Sequence, residues 1–169
     1  MKNIFLIGFM GSGKSTVASY LSHNYNLNIV EMDQIIVENE GLSIPEIFAQ
    51  KGEAYFRDAE TNLLIAIGKE QNKVVSCGGG VVLRQQNIAE MKKSGCVVLL
   101  TASPETILER VKNDDNRPLL NGKKDVAFIR DMINNRRPKY EAAADFSIST
   151  DEKEIKEICK EIIEKIAGV

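Results

Sequence analysis

The chain has 169 residues, of which 43% are hydrophobic and 27% are charged. This length and composition are typical of one globular domain and exclude a linker-rich or disordered chain. The formal net charge of −2 is too small to attract nucleic acid or an anionic membrane surface, so any anion must be bound by a local site. We therefore expect a single domain over residues 1–169, with no nucleic-acid partner and no membrane partner.

The cysteines and the apolar segments indicate the cellular compartment of the protein. Cys77 and Cys96 lie in apolar, strand-like runs, and Cys159 makes the total odd, which indicates reduced thiols and not a disulfide framework. The cysteine spacing does not match a zinc site. No segment approaches the ~20 apolar residues of a membrane span, and the first apolar run is too short for a signal peptide. We expect a cytoplasmic protein.

Short apolar runs alternate with longer segments of helical period along the chain. The runs IFLI and CVVLL are apolar without alternation, as in strands that helices cover on both faces. The pattern predicts an α/β fold, a three-layer α/β/α sandwich with a five-stranded parallel sheet. The predicted strands are Ile4–Ile7, Asn28–Glu31, Val74–Cys77, Cys96–Thr101 and Phe146–Ser149.

Helical segments fill the intervals between these strands. The segment KSTVASYLSHNYN is predicted to be a helix, and residues 43–70 are predicted to form two helices that break near Gly52. Ser43 and Ser103 are predicted N-caps, each followed within two residues by a proline. The C-terminal segment places isoleucines at helical spacing under a charged outer face. Residues 113–125 have no periodicity and are predicted to form a mobile loop.

The segment GFMGSGKST follows the first predicted strand and precedes the first predicted helix. It matches G-x-x-x-x-G-K-[ST] in the setting where backbone N–H groups enclose a phosphate. Lys14 is predicted to reach the β- and γ-phosphates, and the Ser15 hydroxyl to ligate Mg²⁺. The alternative is a glycine-rich turn that only lets the strand and the helix pack closely. The predicted nucleotide contacts of the loop are Gly11, Ser12, Gly13, Lys14, Ser15 and Thr16.

Nucleotide binding alone does not distinguish a GTPase, a motor ATPase and a small-molecule kinase. The sequence contains no NKxD-type guanine motif and no apolar run that ends in D-x-x-G, which disfavours a GTPase. A kinase needs a second pocket, and four features could form one: EMD, FRDAE, CGGG, and the arginines of NRPLL and NNRRPKY. The strand ends among them are expected at the same sheet edge as the phosphate loop.

In this order and spacing, the motifs resemble those of the shikimate kinase family over nearly the whole chain. The resemblance rests on GFMGSGKST, EMDQII, IFAQKGEAYFRDAE, CGGGVV, NRPLL and RRPKYEAAAD. Many families share the phosphate loop, whereas the combination of the other motifs occurs in few families. The resemblance implies transfer of the γ-phosphoryl group of MgATP to the 3-hydroxyl of shikimate, giving shikimate 3-phosphate and ADP on the route to chorismate and the aromatic amino acids.

The resemblance also implies the residues that bind the substrate. Asp33 would bind the shikimate hydroxyls and align or deprotonate the attacking one, unless it is an ordinary helix N-cap. Arg57 and Arg136 would bind the substrate carboxylate, because a planar guanidinium donates two parallel hydrogen bonds to its oxygens. Gly79 would present its backbone N–H to the same substrate. Each arginine could instead form a surface ion pair, and Arg137 could replace Arg136.

Two further roles follow from the resemblance. Glu31 matches an acidic position beside the single Mg²⁺ ion where the family usually has Asp, so its longer side chain is expected to act through water. Arg117 would fold over the phosphates from a lid at about residues 112–124, or else belong to a solvated loop. The implied catalytic residues are Asp33, Lys14 and Arg117, with a substrate-binding segment at about residues 33–60.

The residues leave two other functions open. A kinase of the same architecture could act on gluconate or on a nucleoside monophosphate. A nucleotide-dependent regulatory or binding module could keep the pocket without turnover.

The charged outer face of the last predicted helix favours a monomer. The resemblance implies ATP and shikimate as small-molecule partners.

Overall fold

The structure is a computed structural model and describes residues 1–112 and 125–168. Its single sheet has the strand order β2-β3-β1-β4-β5, and every neighbouring pair is parallel. The predicted five-stranded parallel sheet is confirmed, and every strand begins and ends within one residue of its predicted position. The strands are β1 (Asn3–Ile7), β2 (Asn28–Glu31), β3 (Lys73–Ser76), β4 (Gly95–Thr101) and β5 (Phe146–Ser149).

The described residues form eight α-helices, of which the first seven lie between strands and the last follows β5. They are α1 (Lys14–Tyr25), α2 (Met32–Glu40), α3 (Ile44–Lys51), α4 (Glu53–Ile67), α5 (Gln85–Ser94), α6 (Pro104–Val111), α7 (Val126–Ala143) and α8 (Ile155–Ala167). The predicted break between two helices falls at Gly52. Both predicted N-caps are present, because the hydroxyls of Ser43 and Ser103 accept hydrogen bonds from the N–H groups of Glu46 and Thr106.

Helices α5 and α7 lie in segments where the sequence pattern predicted no element. Helix α5 is largely polar, and α7 contains Pro138 in its interior. A proline cannot donate to the carbonyl group one turn earlier and usually ends a helix. Pro138 is exposed, so water can take the place of the missing donor and the helix continues.

Alternate residues of β1 face two separate hydrophobic cores. Phe5 and Ile7 belong to the core that α4, α5, α6 and α7 cover, whereas Ile4 and Leu6 belong to the core under α1 and α8. All four side chains are buried. The sheet is therefore the middle layer of a three-layer α/β/α sandwich, as predicted.

Two further features bear on the predicted setting of the protein. Cys77, Cys96 and Cys159 are free thiols, and burial raises the pKa of each. In residues 1–112 and 125–168, no helix is both long enough and apolar enough to cross a lipid bilayer.

Candidate active site

The loops after β1, β2 and β3 lie side by side at the carboxyl edge of the sheet, because β3 pairs with both β1 and β2. They enclose a cavity of about 610 Å³. Lys14 and Ser15 line this cavity, as do Asp33 and Gly79. Residues predicted to bind phosphate and residues predicted to bind an acceptor thus share one space.

The phosphate loop bends through two left-handed glycines before α1 begins. Gly11 has φ of 79° and Gly13 has φ of 99°, values that residues with a Cβ atom rarely adopt. Gly13 is also the N-cap of α1, and glycine carries no side chain that could occupy the N–H groups of the first turn. These N–H groups and the positive end of the helix dipole favour an anion at this position.

Lys14 lies across the loop that precedes it. Its Nζ donates hydrogen bonds to the carbonyl oxygens of Gly8, at 2.8 Å, and Phe9, at 3.0 Å. The side chain is buried, although it lines the cavity. The ammonium group is therefore held at the loop, where a phosphate oxygen could replace a carbonyl oxygen as its acceptor.

Three oxygen atoms cluster beside the first turn of α1. The Ser15 hydroxyl donates to Oε2 of Glu31 at 3.0 Å, and the hydroxyl oxygens of Ser15 and Ser76 are 3.3 Å apart. Glu31 and Ser76 end neighbouring strands and are paired in register. A cluster of hydroxyl and carboxylate oxygens fits a hard cation such as Mg²⁺.

Asp33 lies in the first turn of α2, but it is not the N-cap. The N-cap of this helix is Glu31, so the alternative interpretation of Asp33 as an ordinary cap is wrong. The Asp33 side chain lines the cavity. Its Oδ1 atom is 3.0 Å from the point where a Cβ atom of residue 78 would lie, so glycine at this position leaves room for the carboxylate.

Arg57 is a buried cation held by two carboxylates of its own helix. Its Nη1 is 2.7 Å from Oε1 of Glu60, and its Nη2 is 3.1 Å from Oε1 of Glu53. The guanidinium lies over Gly80, with Cζ only 2.6 Å from the position of an added Cβ atom. Arg57 does form ion pairs, but it is not a surface residue, because only 8% of it is exposed.

Glu60 lies behind Arg57 and is completely buried. Its Oε2 is 2.7 Å from the point where a Cβ atom of Gly78 would lie, on the same side as Asp33. Burial raises the pKa of Glu60, and the Arg57 guanidinium opposes this shift. Glu60 therefore fixes the orientation of Arg57 from the interior.

Arg136 approaches the same glycines from α7. Its Nη1 is 3.6 Å from the Cβ position of Gly79, and its guanidinium lies 5.9 Å from the centre of the Phe9 ring. Within the part of the chain that the structure describes, Nη1 is buried without a hydrogen-bond partner, which leaves it available to a ligand. Arg137 is exposed, so the structure favours Arg136 over Arg137.

The two guanidinium groups thus lie beside adjacent glycines, Gly79 and Gly80. Neither arginine lines the 610 Å³ cavity. Gly78 and Gly79 form the wall of the cavity at this point. Together the arginines place two guanidinium groups next to the end of β3, and that of Arg57 is also paired with Glu53 and Glu60. A carboxylate is the ligand that such a pair binds best.

Three residues near the site were missed by the sequence analysis. Arg110 lines the cavity and donates from Nη1 to the carbonyl oxygen of Gly11 at 2.8 Å. Glu60 holds Arg57, and the Tyr140 hydroxyl donates to the carbonyl oxygen of Gly79. The sequence pattern around Arg110 is that of a solvated helix residue. Tyr140 lies in the motif RRPKYEAAAD, from which we assigned it no role. Arg117 and residues 113–124 of the lid predicted at about 112–124 lie outside the described residues.

A parallel sheet, a phosphate loop after its central strand and further polar residues that line the same cavity are typical of small-molecule kinases of the P-loop class.

The chain belongs to the shikimate kinase family, whose family model matches residues 10–167. It is 45% identical over 166 residues to the shikimate kinase of Sulfurihydrogenibium sp., with 98% of each chain covered. It is 43% identical to that of Persephonella marina, with 98% of this chain and 99% of the relative covered. A solved shikimate kinase from Acinetobacter baumannii, in complex with shikimate, has a TM-score of 0.94 at 32% identity and covers 99% of this chain and 94% of its own.

Proposed function

We propose that this protein transfers the γ-phosphoryl group of MgATP to the 3-hydroxyl of shikimate, giving shikimate 3-phosphate and ADP. The observation that carries the proposal is the shared cavity, which Lys14 and Ser15 line together with Asp33 and Gly79. Arg57 and Arg136 lie against the adjacent glycines and supply the charge that an acidic acceptor requires. Family membership supports the same reaction.

The proposed mechanism relies on positioning and charge neutralisation. The acceptor carboxylate binds Arg57 and Arg136, which orients the alcohol toward the nucleotide. Asp33 accepts the hydrogen bond of the attacking hydroxyl and takes its proton as the new O–P bond forms and the bond to the ADP oxygen breaks. Lys14 neutralises negative charge that develops on the phosphate oxygens. The N–H groups of the phosphate loop hold these oxygens in place.

We propose Mg²⁺ as the ion that accompanies ATP. Among residues 1–112 and 125–168, no cluster of three or more His, Cys, Asp or Glu side chains could hold a metal ion. The Ser15 hydroxyl, which donates to Glu31, would hold the ion together with the nucleotide phosphates, and Glu31 would orient that hydroxyl and act through water. When bound, the ion supplies neutralisation of phosphate charge.

We also propose a role for Arg117, an oligomeric state and a cellular location. The family resemblance supports Arg117 as a cation that closes over the phosphates. The charged outer face of α8 supports a monomer. A biosynthetic kinase with free thiols would work in the cytoplasm.

An assay of acceptor-stimulated ADP release tests the function directly. The acceptors are shikimate, gluconate and a nucleoside monophosphate, each compared with MgATP alone. We expect shikimate to raise the rate by about 1,000-fold or more, because only it presents a carboxylate and a correctly placed ring hydroxyl to the site. Preferential turnover of another acceptor, or nucleotide binding without acceptor-stimulated release, would contradict the proposal.

A matched pair of arginine variants serves as the control for this assay. Arg136→Lys removes the bidentate group that contacts Gly79, whereas Arg137→Lys changes an exposed neighbour. We expect Arg136→Lys to raise the KM for shikimate about tenfold, and more than the KM for ATP. Arg137→Lys should leave both constants unchanged.

A further inference from the structure

Tyr140 lies one helical turn after Arg136 on α7, and only 3% of it is exposed. Its hydroxyl donates a hydrogen bond to the carbonyl oxygen of Gly79, with 2.6 Å between the two oxygen atoms. This distance is at the short end for O–H···O hydrogen bonds. The bond ties the C-terminal half of α7 to the glycine turn that follows β3.

Gly79 lies next to both Arg136 and the phosphate loop. The point where its Cβ atom would lie is 3.6 Å from Nη1 of Arg136. The same point is 3.4 Å from the backbone nitrogen of Met10 and 3.7 Å from the carbonyl oxygen of Gly8, both in the phosphate loop. Gly79 therefore lies between the Arg136 guanidinium and the phosphate loop, so a displacement of Gly79 would alter its packing against both.

The Tyr140 hydroxyl keeps its proton and remains a donor. Burial raises the pKa of Tyr140, whereas the nearby Arg136 and Arg57 guanidinium groups lower it, and burial prevails. A neutral phenol donates its one proton to the Gly79 carbonyl and keeps oxygen lone pairs that can accept from a neighbouring donor such as Arg136.

We propose that Tyr140 is a positioning residue for phosphoryl transfer, whose hydroxyl fixes Gly79 and Arg136 relative to the phosphate loop. The acceptor carboxylate is then held at a set distance from the γ-phosphate. This inference rests on the proposed function, because it takes Arg136 as a ligand of the acceptor carboxylate. Tyr140 acts only through its two neighbours, so its loss should weaken acceptor binding much more than nucleotide binding.

A purely structural role is the alternative, since the Tyr140 ring packs in the same core as Ile129 and Ala143. The variant Tyr140→Phe separates the two roles, because it keeps the ring and removes only the hydroxyl. A structural role predicts a lower melting temperature with unchanged kinetic constants below that temperature. The positioning role predicts a selective change in the KM for shikimate.

The test combines steady-state kinetics with calorimetric titration of shikimate, at a temperature below the melting transition of every variant. For Tyr140→Phe we expect the KM and the Kd for shikimate to rise about tenfold, with the KM for ATP within about twofold of wild type. Tyr25→Phe removes an exposed hydroxyl at the end of α1 and should change none of these values. Equal effects on both substrates, or no effect on shikimate, would overturn the inference.

A double-variant cycle tests whether Tyr140 acts through Arg136. In an Arg136→Ala background, the added Tyr140→Phe change should weaken shikimate binding by less than about twofold, because the group to be positioned is already gone. A further tenfold loss would mean that the two residues act independently, which overturns the inference. Failure of wild-type protein to bind or phosphorylate shikimate would refute the proposed function itself, and is thus distinct from a negative result for Tyr140.

Discussion

Gly80 determines how closely a cation can approach the end of β3. Its backbone is ordinary, with φ of −97° and ψ of 8°, so alanine at this position would not strain the chain. The added Cβ atom would, however, lie 2.6 Å from Cζ of Arg57. The guanidinium ends a flexible side chain and would be displaced, whereas the fold would not.

We therefore predict that Gly80→Ala raises the KM for shikimate about tenfold or more, because Arg57 can no longer reach the acceptor carboxylate. The melting temperature should also fall, because displacement of the guanidinium weakens its ion pair with the buried Glu60. Kinetics with each substrate varied in turn, together with thermal unfolding, measure both effects.

Gly68→Ala is the matched control for this substitution. Gly68 also has an ordinary φ, of −62°, and the nearest atom to an added Cβ is the Leu64 carbonyl oxygen at 3.4 Å. It ends α4, away from the cavity, so its substitution should leave the KM for shikimate unchanged. An unchanged KM in Gly80→Ala would mean that Arg57 does not bind the acceptor from its position over Gly80.

At the residue scale, the sequence predicts groups whose role is encoded in a local motif. Lys14 and Ser15 follow from the strand–loop–helix setting of the glycine-rich segment, and both line the cavity. Glu60 and Tyr140 carry no comparable signal, because what defines them is a contact with a distant part of the chain. The Tyr140 hydroxyl, for instance, reaches a carbonyl group 61 residues away.

At the scale of secondary-structure elements, Asn3 connects three segments at the edge of the sheet opposite the site. It is completely buried, its Nδ2 donates to the carbonyl oxygen of Glu70 at 2.9 Å, and its Oδ1 accepts from the N–H group of Lys73 at 3.0 Å. The side chain thus links β1 to the start of β3 and to the turn after α4.

We predict that Asn3→Ala lowers the free energy of unfolding by about 1–3 kcal/mol, because it leaves a donor and an acceptor without their partner. The kcat and both KM values should stay within about twofold of wild type, since the cavity lies at the other edge. Chemical denaturation and kinetics at 25 °C measure the two quantities. Asn24→Ala, at an exposed position of α1, is the control, and a loss of activity in Asn3→Ala without loss of stability would contradict the assignment.

The sequence predicts elements well where hydrophobic pattern and caps agree. The apolar runs around Phe5 and Val98 define their strands to within one residue, and Ser103 followed by Pro104 marks the start of α6. Helix α7 is not predicted in this way, because Pro138 interrupts its hydrophobic pattern and few of its residues are buried. Tertiary contacts, among them those of Ile129 and Tyr140 with the core, stabilise a helix that local propensity does not predict.

At the scale of the whole molecule, strand order brings the site together. The sequence predicts five parallel strands but not that β1 lies between β3 and β4. This order puts the phosphate loop next to the glycine turn after β3. Arg57 and Arg136, which are far apart in the chain, then contact neighbouring residues of that turn. The central claim is that these two cations bind the acid group of the acceptor while its alcohol faces the nucleotide.

A crystal structure of the complex with shikimate, Mg²⁺ and a non-hydrolysable ATP analogue tests this claim most directly. We expect the shikimate carboxylate within hydrogen-bond distance of both Arg57 and Arg136, and the 3-hydroxyl within hydrogen-bond distance of Asp33 and in line with the γ-phosphorus. A carboxylate bound elsewhere, or a 3-hydroxyl directed away from the nucleotide, would contradict it.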